Sequence, residues 1–393
     1  MLAIANGRVF TVTGETYENG TVLISNGKIA AVGPDIPIPE DCQVIDATGK
    51  WVTPGFIDAH SHVSLLSDPQ TSPGLSDVNE GSSPITPQVR ALDALNPHDI
   101  TFPAVRSGGF TTLCTLPGSA NLIGGTTICF KLKEAHTVFD IVIAGTEQMK
   151  MALGENPKRF HGHYKKNMPS TRMGNAALIR ETLSRAKIYS GKLLAAEGDV
   201  KKTPPPDFLL ESLAPVVRGK MRCRIHSHRA DDIVTAVRIA QEFGLDYVID
   251  HASESYKIVD FIKENKVKCA VGPMAMPAMK EEVWGRLHTR QLKIPAILES
   301  AGVTDFCMIE DDSLKTRFLP MNIGMCMARG MSLDMALRSI TINPATLLGI
   351  EDRVGSLESG KDADIAVWSG IPFTGLTLCE LTVIDGEVYI SDN

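Results

Sequence analysis

The residues best suited to do chemistry are two histidines one residue apart, His60 and His62. They close an apolar run that begins at Trp51. In an extended backbone the side chains at positions i and i+2 point to the same face, so both imidazoles can reach one point. This is a metal-chelating arrangement, and the carboxyl end of a strand is where a parallel barrel carries its active site.

Three further candidate ligands stand at the ends of other apolar runs. His226 closes one run, His251 closes the next, and Asp311 follows a third. A packed histidine or a capping aspartate would explain any one of them alone. Their repeated position at strand ends favours one shared site, so the sequence predicts a metal centre that combines these residues with the first histidine pair.

The middle of the chain alternates strand-like apolar runs with helical patterns, which is typical of β/α units around a parallel sheet. Eight predicted strands fit a closed (β/α)8 TIM barrel. They lie near residues 52–58, 110–116, 126–131, 149–153, 222–226, 246–250, 267–272 and 305–310. Helical patterns cover residues 176–186, 231–243, 255–264 and 333–339. Long loops at 63–98 and 154–174 are expected to cover the site.

Both ends of the chain differ from the middle in their sequence pattern. Short β-rich runs alternate with turns in residues 1–52, and the same pattern returns in residues 355–393. Asn-Gly between apolar runs is a strong hairpin signal. We therefore expect an α/β chain in which residues 53–354 form the barrel, while 1–52 and 355–393 together form a small β-sandwich domain.

Composition excludes several classes of partner. A formal charge of -7 without a basic stripe argues against a nucleic-acid partner. The eight cysteines show no C-x-x-C spacing and are expected to be reduced core residues. Neither a signal peptide nor an apolar run of membrane-spanning length is apparent, which predicts a cytoplasmic protein with no membrane partner. The expected partner is a small-molecule substrate. Assembly into a homo-oligomer is compatible with the sequence.

The string PGFIDAHSH at residues 54–62 resembles the signature of the amidohydrolase superfamily, and residues 355–364 resemble the family's return into its split β domain. The resemblance covers nearly the whole chain and is closer to imidazolonepropionase-related members than to dihydropyrimidinase. It implies a hydrolase with one or two divalent metal ions. It also indicates Lys150 as a ligand that carbon dioxide carboxylates and that bridges two metals. Glu155 is the alternative ligand, because some relatives use a strand-end glutamate.

Imidazole and carboxylate ligands at an open site suit Zn²⁺, which lowers the pKa of bound water from about 15.7 to about 7. By the resemblance, Asp311 is both a metal ligand and the catalytic base. It would accept a proton as hydroxide attacks a carbonyl and return that proton to the leaving nitrogen. Asp312 stays an alternative base, because the sequence departs from many relatives directly after Asp311.

Two arginines are candidate substrate-binding residues. Arg229 could bind a substrate carboxylate bidentately or pair with its own acidic neighbours. Arg172 lies on a loop expected to cover the site, although the residues before it could merely cap a helix. His228, His161 and His163 are expected to be solvated or to support the ligands.

The sequence therefore predicts a metal-dependent hydrolase that cleaves a C–N bond in a small amide or cyclic amide. A deaminase or a dipeptidase on the same scaffold stays an alternative, because one fold hosts many reactions. A barrel that serves only as a scaffold is the remote alternative.

Overall fold

The computed structural model describes residues 1–66, 76–274 and 291–391. Within these ranges the chain is an α/β protein with mixed sheets. The strands are β1 Leu2–Phe10, β2 Thr16–Ser25, β3 Lys28–Gly33, β4 Gln43–Asp46, β5 Trp51–Pro54, β6 Phe56–Ser61, β7 Phe110–Thr115, β8 Ile123–Thr126, β9 Ile128–Lys131, β10 Val142–Ile143, β11 Met149–Ala152, β12 Cys223–Ser227, β13 Tyr247–His251, β14 Cys269–Val271, β15 Phe306–Met308, β16 Ile365–Trp368, β17 Cys379–Ile384 and β18 Glu387–Ile390.

Helices lie between many of these strands. They are α1 Phe102–Arg106, α2 Glu155–Pro157, α3 Arg172–Ala196, α4 Phe208–Val217, α5 Ala230–Phe243, α6 Val259–Glu264, α7 Ile294–Ser300, α8 Leu319–Met327, α9 Leu333–Ser339 and α10 Ile342–Leu348, with a π-helix at Lys158–Tyr164. The predicted helix at 333–339 is confirmed at both bounds, and 176–186 is the middle of the longer α3. The pattern at 255–264 is divided between a 3₁₀ turn, Ser255–Lys257, and α6.

The two ends of the chain lie in one eight-stranded sheet, in the order β18-β17-β16-β5-β1-β2-β3 with β4 beside β1. Strand β5 joins the ends, because it pairs with β1 on one side and with β16 on the other. A small apolar core that includes Ile4, Val22, Val52 and Ile365 packs on this sheet. The division of the chain at residues 52/53 and 354/355 stays a prediction.

The middle of the chain supplies a six-stranded sheet, β15-β14-β13-β12-β11-β8, and a four-stranded sheet, β10-β9-β7-β6. Strands β11 to β15 are parallel to one another, and β6 is parallel to β7. The carboxyl ends of the strands within each parallel run therefore lie along a common edge, which is where the predicted ligands were placed.

The predicted single parallel strand at 126–131 is wrong. Residue Thr127 separates β8 from β9, and both run antiparallel to their neighbours β11 and β7. The reason is the short connection between the end of β7 at Thr115 and the start of β8 at Ile123. A parallel return needs a crossover of about a dozen residues or more, whereas a short connection brings the chain back antiparallel.

The loops expected to cover the site are only partly irregular. The loop at 154–174 contains α2, the π-helix and the start of α3, while residues 67–75 of the loop at 63–98 lie outside the described residues. Seven of the eight cysteines are buried, and all eight, which fall in the described ranges, lack disulfide partners as predicted. Among the described helices, none has the length and apolarity to span a bilayer.

Candidate metal centre

Strand ends bring the predicted ligands together. His60 is the fifth of the six residues of β6, His226 lies in β12, His251 ends β13, and Asp311 follows β15 by three residues. Strands β12 and β13 are parallel neighbours, and their register pairs Ser227 with His251. The local sequence positions the ligands because each of these strands is buried over nearly its whole length and carries its histidine within the last two residues.

One group of ligand atoms surrounds a carboxylate oxygen of Asp311. Its Oδ1 lies 3.0 Å from Nε2 of His60 and 3.1 Å from Nε2 of His62. The Nδ1 of His62 lies 2.8 Å from the carbonyl oxygen of Leu116. A carbonyl only accepts, so Nδ1 carries the proton and Nε2 carries the lone pair. Ligands about 2.0–2.1 Å from a tetrahedral zinc are roughly 3.3 Å apart, so these separations fit a zinc ion.

A second group contains three buried imidazoles. One ligand atom each from His226, His228 and His251 lies within 4.8 Å of the others. The Nδ1 of His251 donates to the carbonyl oxygen of Gly272 at 2.8 Å, which assigns the lone pair to Nε2. Ligand atoms of His60, His251 and Asp311 also lie within 4.8 Å of one another. His251 therefore belongs both to this set and to the set of three imidazoles.

Two of the candidate ligands have a strained backbone. His251 has φ +73°, the following Ala252 has φ +45°, and Asp311 has φ +62°. Residues other than glycine rarely occupy this left-handed region, and where they do the strain often accompanies a functional site. The end of β13 and the segment after β15 thus hold their side chains in orientations that an ordinary strand end would not give.

Lys150 is a buried amine beside these groups. Its side chain on β11 is 1% exposed, with Nζ 3.2 Å from Nε2 of His60 and 3.6 Å from Oδ2 of Asp250. Burial lowers the pKa of Lys150 to about 8, although the carboxylates of Asp250 and Asp311 act in the opposite direction. Lys150 is therefore a far better source of neutral amine than an exposed lysine.

Asp250 links Lys150 and His60 to a buried arginine. Its Oδ1 accepts hydrogen bonds from Nε and Nη2 of Arg224 at 3.0 and 2.6 Å, while Oδ2 lies 3.1 Å from Nδ1 of His60. Burial would raise the pKa of Asp250, but Arg224 and His60 outweigh burial and hold this pKa well below its usual value. The carboxylate is thus ionised in a site that water does not reach.

Asp311 and Asp312 have different surroundings. Burial would raise the pKa of Asp311, but the histidines around it, His251 first, hold this pKa well below its usual value. Asp312 instead accepts a hydrogen bond from the backbone N–H of Ser313 at 2.8 Å and pairs with Lys315 at 2.6 Å. This contrast favours Asp311 as the base, because its carboxylate lies beside the candidate ligands, whereas Asp312 contacts His62 only through its backbone carbonyl.

The remaining predicted residues contact other charged groups. Glu155 pairs with Arg159 at 3.3 Å. Arg229 binds Asp231 through Nε and Nη2 at 2.9 and 2.7 Å. Arg172 follows the helix cap Thr171, and its Nε donates to both carboxylate oxygens of Asp232 at 3.0 and 3.2 Å. Each of these side chains contacts a charged neighbour, whereas Lys150 lies 3.2 Å from a candidate ligand atom of His60.

Sequence reasoning missed Asp250 and Arg224, and it gave His228 two alternatives, as a solvated residue or as a support for the ligands. The alternative that His228 is solvated is wrong, because its exposed fraction is only 3%. A signal was present, since the tripeptide His-Ser-His occurs at 60–62 and again at 226–228. Asp250 and Arg224 also left a signal, because each places a charge inside an apolar strand, where an unpaired charge is costly.

The chain is similar to known proteins over nearly its whole length. Residues 51–389 match the family model described as the amidohydrolase family. The crystal structure of an amidohydrolase from Thermotoga maritima MSB8 is 38% identical, with 100% of each chain covered and a TM-score of 0.93. Amidohydrolase tasK of Hapsidospora irregularis is 29% identical over 95% of this chain, which spans 40% of that protein's length. Imidazolonepropionase of Thermoplasma acidophilum is 24% identical over 99% of this chain and 95% of its own.

Proposed function

The chain belongs to the amidohydrolase family, and from that premise we propose that it is a metal-dependent hydrolase that cleaves a C–N bond in a small amide or cyclic amide. The observation that carries the proposal is the convergence of imidazole and carboxylate ligand atoms at the strand ends, around a buried amine of lowered pKa. Such a donor set suits one or two Zn²⁺ ions.

We assign His60, His62 and Asp311 to one metal position, and His226 and His251 to a second. The short Nε2 to Oδ1 distances support the first position, and the grouping of ligand atoms supports the second. Lys150 lies beside His60 and would bridge the positions as its carbamate. An ammonium ion there would repel the metals, whereas a carbamate is anionic and offers two oxygens.

The pKa of Lys150 supports carboxylation. Because burial lowers the pKa of Lys150 to about 8, its amine loses its proton near neutral pH far more readily than a lysine with the ordinary pKa of about 10.4. The neutral nitrogen attacks the carbon of CO2, so that an N–C bond forms while one C=O π bond opens, and the nitrogen gives one proton to solvent water, which leaves an anionic carbamate. Burial then protects the product from water.

Bound metal and Asp311 would have different roles in hydrolysis. Bound Zn²⁺ would supply Lewis acidity and a water of lowered pKa. Asp311 is ionised, and its side chain is 20% exposed whereas that of His60 is fully buried, so Asp311 faces the space from which a substrate can approach. We propose that Asp311 takes the proton of the attacking water and delivers it to the leaving nitrogen.

We also propose that Arg172 and Arg229 bind a substrate carboxylate. Each would have to share its guanidinium between the substrate and the aspartate that it now contacts, which is feasible because a guanidinium carries five N–H donors. The conservative variants Arg172→Lys and Arg229→Lys remove bidentate geometry but keep the charge. An unchanged KM in both would remove these residues from the proposal.

The finer architecture belongs to the same proposal. We propose that the two central sheets close into a barrel of the (β/α)8 type over residues 53–354, in which the antiparallel β8 and β9 replace the third parallel strand, and that residues 1–52 with 355–393 form a β-sandwich. Two contacts support closure between β15 and β6, because the N–H of Asp311 donates to the carbonyl oxygen of His60 at 3.1 Å, and β6 contacts β15.

The test is hydrolysis of a panel of small amides, lactams and hydantoins by the zinc-loaded protein and by Asp311→Asn. We expect the variant to retain zinc and to lose about 10²- to 10⁴-fold in kcat, the range typical of a lost general base. Asp312→Asn is the matched control and should change kcat by less than about threefold, because Asp312 is paired with Lys315. Unchanged turnover by Asp311→Asn would contradict its assignment, and a panel left uncleaved would contradict the function.

A further inference from the structure

His228 is a third imidazole at the second metal position, and no part of the function proposed above requires it. It stands two residues after His226, at the end of β12 (Cys223–Ser227). His62 stands in the same relation to His60 at the end of β6. Because side chains at i and i+2 share a face of an extended chain, both strand ends can present a pair of imidazoles to one point.

The ring of His228 is held among the other ligands. Its side chain is buried, and its Nδ1 lies 2.8 Å from the hydroxyl oxygen of Ser253. It stacks on His251 with centroids 4.5 Å apart and planes 22° apart, and it meets His226 edge to face at 4.7 Å. A histidine fixed through one ring nitrogen by a neighbour is the usual state of a metal ligand.

The shared residue His251 decides how many metals these groups can serve. Its Nδ1 is occupied by the carbonyl oxygen of Gly272, so His251 can give only Nε2, and a single lone pair serves one metal. His60 and Asp311 share a 4.8 Å group with His251, so His251 adjoins both metal positions and can serve only one of them. His62 can complete the first position in its place, because Nε2 of His62 lies 3.1 Å from Oδ1 of Asp311. His251 is therefore assigned to the two histidines of β12, whose ligand atoms lie within 4.8 Å of its own.

We propose that His226, His228 and His251 form a three-histidine metal position for a divalent transition-metal ion such as Zn²⁺ or Co²⁺. Neutral imidazoles suit these ions, and three protein ligands with an open fourth position are the usual arrangement of a catalytic zinc site. The inference rests on the proposed function, because it requires that the chain binds metal. It adds that the second position has three ligands of its own apart from Lys150.

The test is a titration of metal-free protein with Co²⁺ and with Zn²⁺, followed by chelator competition and by the visible absorption of the Co²⁺ form. The proteins are wild type, His228→Ala and His228→Gln, with His163→Ala as the control. His163 lines a surface cavity of about 580 Å³ and belongs to neither group of candidate ligands. The Gln variant retains a polar side chain, so its unfolding transition without metal should match that of wild type.

We expect both His228 variants to bind the first equivalent as wild type does and to weaken the second by more than about 100-fold, since loss of an outer-shell partner alone costs about 10- to 100-fold. The visible spectrum of the second Co²⁺ should also change, because its ligand number changes. A smaller loss with an unchanged spectrum would make His228 a supporting residue and overturn the inference alone. Wild-type protein that binds no metal would overturn the proposed function and this inference together.

Discussion

Lys131 and Lys150 are both buried lysines on central strands, yet their surroundings are opposite. The Nζ of Lys131, at the end of β9, lies 2.7 Å from Asp362 and 3.0 Å from Asp364, and it also binds Asp385. Lys150 on β11 has Asp250 at 3.6 Å, and that carboxylate is already bound by Arg224. The two side chains are 3% and 1% exposed, so burial itself does not distinguish them.

The number of carboxylates decides the protonation of each amine. Burial would lower the pKa of Lys131, but Asp364, Asp385 and Asp362 outweigh burial and raise this pKa. Burial prevails at Lys150 and lowers its pKa to about 8. A buried lysine with several carboxylate partners stays protonated and acts as a structural cation. A buried lysine that shares its one carboxylate partner with an arginine has a lowered pKa and can react as a neutral amine.

The two sites also differ in what they join. Lys131 connects a central strand to the C-terminal segment of the end sheet, where Asp362 additionally contacts Arg353 at 2.8 Å. Lys150 connects strand ends that carry candidate ligands. We therefore expect changes at Lys131 to act on stability and changes at Lys150 to act on metal binding.

The largest expected effect on stability is that of Lys131→Met. It leaves two buried carboxylates and one partly buried carboxylate without their shared cation, so the free energy of unfolding should fall by about 3–5 kcal/mol. Urea unfolding measures this loss. Lys133→Met is the control, because its side chain is more exposed and contacts only Asp385 among these acids, and it should cost about 1 kcal/mol or less. Equal losses in the two variants would contradict the comparison.

Lys150→Met should act in the opposite direction on the metal-free protein. A lowered pKa means that burial disfavours the charged amine, at about 1.4 kcal/mol for each pKa unit. At pH 7 we expect the free energy of unfolding to stay unchanged or to rise by about 1–3 kcal/mol, while hydrolysis is lost. Destabilisation as large as that of Lys131→Met would show that Lys150 is a structural cation.

The third expected effect is a dependence of the free energy of unfolding on acid pH. Asp362 has its pKa lowered from 3.8 to about 2, because Lys131 and its other cations outweigh burial. Its folded pKa lies below its unfolded value, so its contribution of about 2 kcal/mol is present above pH 4 and is lost as the pH falls from about 4 to 2. The stability difference between wild type and Asp362→Asn should shrink over this window. A difference that stays constant from pH 5 to pH 2 would contradict the ion network.

Much of this arrangement could be predicted from sequence, for local reasons. The apolar runs, and the polar residues that end them, identify the strands of His60, His226 and His251. The strained backbone of Asp311 could not be predicted, because its N–H donates to the carbonyl oxygen of His60, a residue far away in the chain. The cluster of carboxylates around Lys131 was missed for the same reason, since its aspartates lie more than two hundred residues away.

The measurement that tests the central claim most directly is metal content per chain by plasma mass spectrometry. The protein is purified without chelator from medium supplemented with zinc and bicarbonate, beside Lys150→Met. We predict about two zinc ions per wild-type chain and about one in the variant, because two dications without an anionic bridge repel each other. Two ions in both proteins would contradict the bridging role of Lys150, and no metal in wild type would contradict the account as a whole.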